Sequence, residues 1–287
     1  MSDDDLHEVH ISFEFFPPKT DAGFVKLAEV RDRLAAEGPE FFSVTYGAGG
    51  STRERTFNAV KMVRESGIDT APHLSCVGHT KAEMREILDG YKAGGVQRIV
   101  ALRGDLPSGM GMGDGELRYA SDLVAFIRQH YGNHFRLEVA AYPEMHPQSA
   151  GLDADIAAFV KKVKAGADQA ITQYFFNPDA YFHFVDRVQD EGVTIPVVPG
   201  IMPITNVANL IRFSDSCGAE IPRWLRKQLE AYEHDEESVR LFGADVVSSL
   251  CETLLAAGAP GIHFYTMNQA EPTLAILRNL GLETIDT

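Results

Sequence analysis

A (βα)₈ barrel is the fold this chain predicts, and three observations predict it. Short β-rich runs recur at roughly thirty-residue intervals, and each is followed by a helical pattern, the rhythm of repeated βα units on a parallel sheet. The runs number eight, which close into a barrel. At 287 residues the chain has the length of one such barrel and enough apolar side chains for a large core.

The first strand, 10–16, sets the pattern. Ile11, Phe13 and Phe15 fall on one side of an extended segment and Ser12 and Glu14 on the other, until Pro17-Pro18 stops the strand. Further strands are predicted at 41–46, 71–76, 98–103, 136–142, 169–175, 196–201 and 261–267. Helical patterns fill the intervals at 24–37, 53–66, 81–93, 119–131, 153–165 and 180–191, with glycine at or soon after most ends, as helix C-caps prefer. The one oversized interval, between strands seven and eight, holds extra helices at 206–216, 222–232 and 236–257, and a helix at 270–279 closes the chain. Residues 1–9 read as a flexible acidic N-terminus and 10–287 as a single catalytic barrel domain.

Composition narrows the function classes. A net charge of −15 and a pI near 5.1 argue against a nucleic-acid or anionic-membrane surface, which need clustered Lys and Arg. No apolar run approaches a bilayer span, and the acidic start MSDDDLHE is unlike a signal peptide, so a cytoplasmic protein is expected. Cys76, Cys217 and Cys251 show no C-x-x-C spacing and read as reduced, buried thiols.

In barrels of this kind the chemistry sits at the C-terminal ends of the strands. There the sequence places Glu14, Thr45, His73, Ser75, Arg103-Gly104-Asp105, Tyr142, Glu144, His146, Gln173, His263 and Tyr265. Glu14 is the pivotal group. Burial disfavours an ionised carboxylate and pushes its pKa upward, into the range of a proton donor; a satisfied structural carboxylate is the alternative. Gly47–Gly50 is neither G-x-G-x-x-G nor a P-loop, and the alternate glycines from Gly109 to Gly115 read as a mobile connection or lid. His73, Asp105, His146 and His263 lie on separate strands without a paired motif, which disfavours a metal. Lysines fall mostly on helices, which argues against Schiff-base chemistry. A planar organic cofactor in the barrel mouth accounts for the acid, the aromatics and Arg103; for Tyr142, Phe213 and Tyr265 taken singly, core packing is the alternative.

Nine ordered motifs then carry a resemblance. FEFFPPK, SVTYGAGGSTRERT, APHLSC, RIVALRGDLP, YASDL, VAAYPEMHP, ADQAITQYFF, VPGIMPI and HFYTMN resemble the methylenetetrahydrofolate reductases of the bacterial, single-domain type, from Ile11 to about Leu280. The resemblance implies an FAD-bearing barrel of one-carbon metabolism and methionine biosynthesis. Such an enzyme passes hydride from NADH (or NADPH) to 5,10-methylenetetrahydrofolate in a ping-pong cycle, and it implies a homo-oligomer. By motif, Glu14 matches the general acid and Asp105 the carboxylate between flavin and folate. Tyr46, Ala48, His73, Arg103, Gly104 and Asp105 match FAD-holding positions, as do Ala120, Tyr142, His146, Asp155 and Lys162, joined by Ser149 and Ala158. Thr45, Asp105, Gln173 and Phe213 match positions that meet the substrates. Asn209 and Gln269 stand where bacterial members carry Gln and Arg thought to contact the folate tail, which puts tail preference in doubt. The competing readings are another flavin barrel, such as a proline-oxidising dehydrogenase, and a non-catalytic flavin- or folate-binding barrel. Reoxidation of the reduced flavin by folate but not proline separates the first, and Glu14→Gln, expected to keep nicotinamide oxidation yet nearly abolish folate reduction, separates the second.

Overall fold

Alternation decides which way each strand faces. The computed structural model describes residues 9–46, 50–104, 115–232 and 234–284. In β1 (His10–Phe15), Phe13 and Phe15 are fully buried on the helix side, packed with Phe42, Leu27 and Leu34, while Ser12 and Glu14 turn into the barrel. The strands that follow are β2 (Phe41–Val44), β3 (Asp69–Ser75), β4 (Arg98–Leu102), β5 (Arg136–Ala141) and β6 (Gln169–Thr172). Then come β7 (Val197–Val198), β8 (Gly200–Ile201) and β9 (Gly261–Tyr265), and every pairing is parallel.

The nine strands fill eight barrel positions. Their order, β7-β6-β5-β4-β3-β2-β1-β9-β8, ends on two fragments that are consecutive in the chain. Pro199 separates them because it has no N–H to donate; Val197 and Val198 pair with β6, and Gly200 and Ile201 with β9, so one predicted strand closes the barrel by binding both neighbours. Gly200 is required at this seam. A Cβ there would lie 2.0 Å from the Thr172 carbonyl oxygen and 2.6 Å from the Tyr265 ring.

The helices α1 (Asp21–Ala35), α2 (Gly50–Arg64), α3 (Lys81–Ala93), α4 (Ala120–Tyr131), α5 (Leu152–Lys164) and α6 (Pro178–Asp190) surround the strands. Several start earlier than their apolar pattern suggests because a cap fixes the first turn. Thr20 accepts from the Gly23 N–H, and Asn177 accepts from the Asp179 N–H with Pro178 opening α6. The insertion before β9 is α7 (Val207–Cys217), α8 (Arg223–Ala231) and α9 (Glu236–Ala256), and α10 (Glu271–Asn279) ends the fold, as the sequence predicts. Cys76 and Cys251 are buried and Cys217 is half-buried; none forms a disulfide. The expected flexible N-terminus lies outside the described residues except for Val9.

The barrel interior is layered. At the floor, Arg98 reaches Glu40 (2.7 Å), Glu138 (3.1 Å) and Asp69 (3.3 Å). Above it lies a small apolar layer of Phe41, Ala71, Val100 and Ile171. Toward the C-terminal ends the lining turns polar: Ser12, Ser43, His73 and His263 are all buried there. A purely structural barrel would fill that layer with branched aliphatic residues.

Candidate active site

Register brings the polar layer together. Glu14 sits opposite Ser43 on β2 and Tyr265 on β9, and Ser12 sits opposite His263. The Glu14 carboxylate, 17% exposed, has His73 Nε2 at 3.2 Å, Ser43 Oγ at 3.5 Å and His263 Nε2 at 3.7 Å. The far nitrogen of His263, Nδ1, is 2.7 Å from Ser12 Oγ. The strand end is pinned as well: Thr266 donates to the Glu14 carbonyl, and the Asn268 side chain brackets the Phe16 backbone through both N–H and C=O.

This arrangement corrects the sequence reading of Glu14. Burial does push its pKa up, but the charge of His73, hydrogen bonds from His263 and His73 and the charge of His263 together bring it to about 2. The sequence shows a carboxylate on a buried strand; it does not show two imidazoles converging on it from β3 and β9. Glu14 is therefore ionised in the ligand-free protein, while burial, its largest influence, lowers the pKa of His263 against the opposing pull of Glu14.

Beside the cluster, across the ends of β4 and β5, opens a cavity of about 700 Å³, within the range of small-molecule sites. Tyr46, Arg103, Gly104, Tyr142 and His146 line it from the strand ends. Ala120 comes from the start of α4, Ser149 from the loop before α5, and Asp155, Ala158 and Lys162 from α5. Gly104 has φ +87°, and a Cβ there would lie 1.8 Å from Ser75 Oγ, so this wall admits only glycine. Arg103 donates to the Gln148 side chain and its carbonyl accepts from Ser75 Oγ at 2.8 Å, which fixes the β4 corner. Asp155 accepts from the His146 N–H at 2.9 Å, tying α5 to the β5 loop, and the Tyr142 and His146 rings meet edge to face at 4.5 Å. Lys162 donates to the Ala140 carbonyl, and burial, offset in part by Asp155, lowers its pKa to about 8.

Not every residue singled out from the sequence reaches this cavity. His73 lies over Glu14 instead. Thr45 and Gln173 sit just beyond β2 and β6, their N–H groups donating to Phe15 and Ala141 carbonyls. Phe213 is half-buried on α7 with the Arg212 guanidinium 4.9 Å from its ring, while Asn209 and Gln269 are exposed. Ala48 and Asp105 fall outside the described residues.

Comparison with known proteins decides the family. The family model described as methylenetetrahydrofolate reductase matches residues 2–281. The chain belongs to the methylenetetrahydrofolate reductase family. It is 40% identical over 276 residues to the 5,10-methylenetetrahydrofolate reductase of Salmonella typhimurium, covering 96% of this chain and 92% of that one. It is 39% identical to methylenetetrahydrofolate reductase (NADH) 1 of Zea mays, over 94% of this chain and 48% of the maize protein. Among solved structures, a Clostridium thermocellum protein that binds two copies of 5-methyl-5,6,7,8-tetrahydrofolic acid superposes with a TM-score of 0.68 at 18% identity. It covers 96% of this chain and is itself covered to 94%, a likeness of fold.

Further residues, left out of the binding set by sequence reasoning, border the cavity and the Glu14 cluster. Ser75, Tyr119, Ser121, Gln148 and Lys161 line the cavity, and Ser43 and His263 complete the Glu14 cluster. A signal existed for some of them: Tyr119 and Ser121 lie in YASDL, Lys161 adjoins Lys162, and Ser75 and His263 stand near strand ends. Gln148 and Ser43 became legible only when loop and register placed them.

Proposed function

We propose that this chain reduces 5,10-methylenetetrahydrofolate to 5-methyltetrahydrofolate, with FAD held in the 700 Å³ cavity and hydride drawn from NADH or NADPH in a ping-pong cycle. The observation that supports the reading is Glu14: a carboxylate at the C-terminal end of a barrel strand, with two imidazoles within 4 Å, in a chain of this family whose barrel also opens a cavity of about 700 Å³.

The residues present fit FAD. Gly104 leaves the wall open where a side chain would fill it, and Ala120 and Ser121 bring the positive end of α4 to the cavity, as a pyrophosphate requires. Arg103, Lys161 and Lys162 supply cations there in a chain of net charge −15. Tyr46 and Tyr142 offer aromatic faces. When bound, FAD takes hydride from the nicotinamide and passes it to the folate methylene carbon.

The chain's own task is the proton. The methylene bridge resists hydride until a ring nitrogen is protonated and the five-membered ring opens to an iminium cation. Glu14, taking up a proton from solvent as the substrate covers the mouth and desolvation favours its neutral form, is the group that protonates the nitrogen. Asp105, which follows Gly104 in the sequence, supplies negative charge to the iminium, and Thr45, Gln173 and Phe213 hold the two substrates in turn. Asn209 and Gln269 face the folate tail without a cation, so tail carboxylates are held weakly from these two positions. A homo-oligomer in the cytoplasm completes the reading. Glu14→Gln tests it: flavin uptake and nicotinamide oxidation persist while folate reduction is nearly abolished, and retained folate turnover rejects Glu14 as the acid.

A further inference from the structure

Gln173 and Phe213, the two residues set against substrate from β6 and α7, are each the chain neighbour of one half of a single buried contact. Tyr174 follows Gln173 just beyond β6, and Ser214 follows Phe213 on α7. The Tyr174 and Ser214 hydroxyls are 3.0 Å apart, and the two residues are only 5% and 3% exposed. Sealed from water, neither hydroxyl can turn to solvent if the other is removed, so the contact is worth its full hydrogen bond. Burial raises the Tyr174 pKa, which keeps the phenol protonated and able to donate.

The course of α7 explains why such a tie is needed. The helix starts soon after β8, where Asn206 caps it by accepting from the Asn209 N–H. Its far end reaches the loop after β5: Glu144 accepts from the Glu220 N–H at 2.8 Å, and a Cβ on Gly218 would lie 2.9 Å from Pro147 Cγ. Because β6 stands between those two positions in the sheet, α7 spans the rim of the mouth above the end of β6. Of its eleven residues only Leu210 and Ser214 are buried, too narrow a stripe to fix a helix by apolar packing alone.

We propose that Tyr174 is the positioning residue for the substrate-facing pair: its N–H orients Gln173, and its hydroxyl, bound to Ser214, holds α7 and with it Phe213. The inference rests on the reading of Gln173 and Phe213 as substrate contacts. The Tyr174 N–H donates to Gln173 Oε1 at 3.0 Å, which commits the amide oxygen and leaves the NH2 group as the donor Gln173 offers a ligand. The Gln173 backbone is held in turn by the Ala141 carbonyl, which accepts from its N–H at 2.8 Å. One residue thus ties a strand end to the helix that crosses above it. Phenylalanine would fill the same space, with its ring still edge-on to Phe176, and would leave the Ser214 hydroxyl unpaired. Neither Tyr174 nor Ser214 lines the 700 Å³ cavity, so the role is separable from flavin binding.

The test separates holding substrate from holding the fold. In the FAD-loaded enzyme, stopped-flow flavin reduction over a series of NADH concentrations gives an apparent Kd and a limiting rate, and reoxidation over a series of 5,10-methylenetetrahydrofolate concentrations gives a second pair. Tyr174→Phe keeps the N–H and removes only the hydroxyl. It is expected to raise both apparent Kd values about fivefold, the equivalent of one neutral hydrogen bond, with limiting rates and FAD affinity within about twofold of wild type. Ser214→Ala is expected to give the same record and serves alone if Y174F does not fold; the Y174F/S214A double variant is expected to be no worse than either, because two hydroxyls form one contact. Phe213→Ala supplies the readout that a merely structural bond would not move: in F213A, adding Y174F is expected to change the apparent Kd values by less than about twofold. A lowered urea midpoint in Y174F with both apparent Kd values unchanged overturns the proposal, and so does a fivefold effect that persists in full in F213A. If F213A alone changes neither Kd, Phe213 is no substrate contact and the proposal falls with it. A wild-type enzyme that reduces no folate overturns the reading of the site instead, and the NADH series then decides for or against Tyr174.

Discussion

Side chains of one type take opposite fates in this barrel according to what surrounds them. Glu14 and Glu138 are both carboxylates turned into the barrel, yet Glu14 is held near 2 by two imidazoles while Glu138 is pushed up to about 7. Burial acts on both; the difference lies in the neighbours. Lys162 belongs to the same comparison. Its ammonium is buried on α5 with the Ala140 carbonyl as acceptor, and burial lowers its pKa to about 8. A cation of that kind binds phosphate below that value and fades above it. FAD affinity is accordingly expected to fall as pH rises from 7 to 9, and Lys162→Met to weaken binding roughly tenfold at pH 7 while flattening that dependence, by the energy of one charge-assisted hydrogen bond. Flavin fluorescence titration across the range reads both, and a wild-type affinity that does not change between pH 7 and 9 contradicts this part for Lys162.

Among the elements, the segment from Val197 to Ile201 shows most clearly what a sequence conceals. It reads as one strand, and its β-rich composition is right, but Pro199 divides it so that each half bonds a different neighbour. Gly200 then admits Tyr265, whose hydroxyl donates to Thr172 at 2.6 Å and locks the seam. Gly200→Ala places a methyl into backbone and ring and is expected to destabilise by at least about 1–3 kcal/mol, read as a lowered urea midpoint with unchanged slope; an unshifted midpoint contradicts the close approach. The strand positions and the insertion of α7 to α9 were legible because alternation and glycine punctuation are local signals. Helix starts were less so, since Thr20 and Asn177 cap their helices four and three residues ahead of the apolar patterns that begin at 24 and 180. The binding set followed motif order, which is why Tyr46, Arg103, Gly104, Tyr142, His146 and Lys162 meet at one cavity. The partners of Glu14 did not follow it, because they converge through register between strands far apart in the chain.

The whole molecule separates a chemical end from a structural end. At the floor, Arg98 answers three carboxylates, and Arg136 approaches Glu138 at 3.6 Å, so negative charge exceeds positive and Glu138 takes the proton. Burial raises its pKa most, Arg98 and Arg136 oppose it, and Glu40 and Asp168 add to the rise. The sign follows from proton counting. Between the ordinary 4.5 and about 7 the folded protein holds a proton that the unfolded chain has released, so this group's contribution to stability is full below that window and is lost as pH rises through it. Each unit of displacement is about 1.4 kcal/mol. Glu138→Gln is expected to remove that slope, seen as the difference in urea midpoint between pH 5 and pH 8; an identical slope in both proteins contradicts it.

At the other end, the proposed function depends on a proton donor facing a bound flavin. Stopped-flow absorbance of the FAD-loaded enzyme tests this most directly: Glu14→Gln is first reduced with NADH, then mixed with 5,10-methylenetetrahydrofolate. Flavin reduction at close to the wild-type rate, followed by reoxidation slowed by about 100-fold or more, is the expected record. Reoxidation at the wild-type rate contradicts the account at its centre.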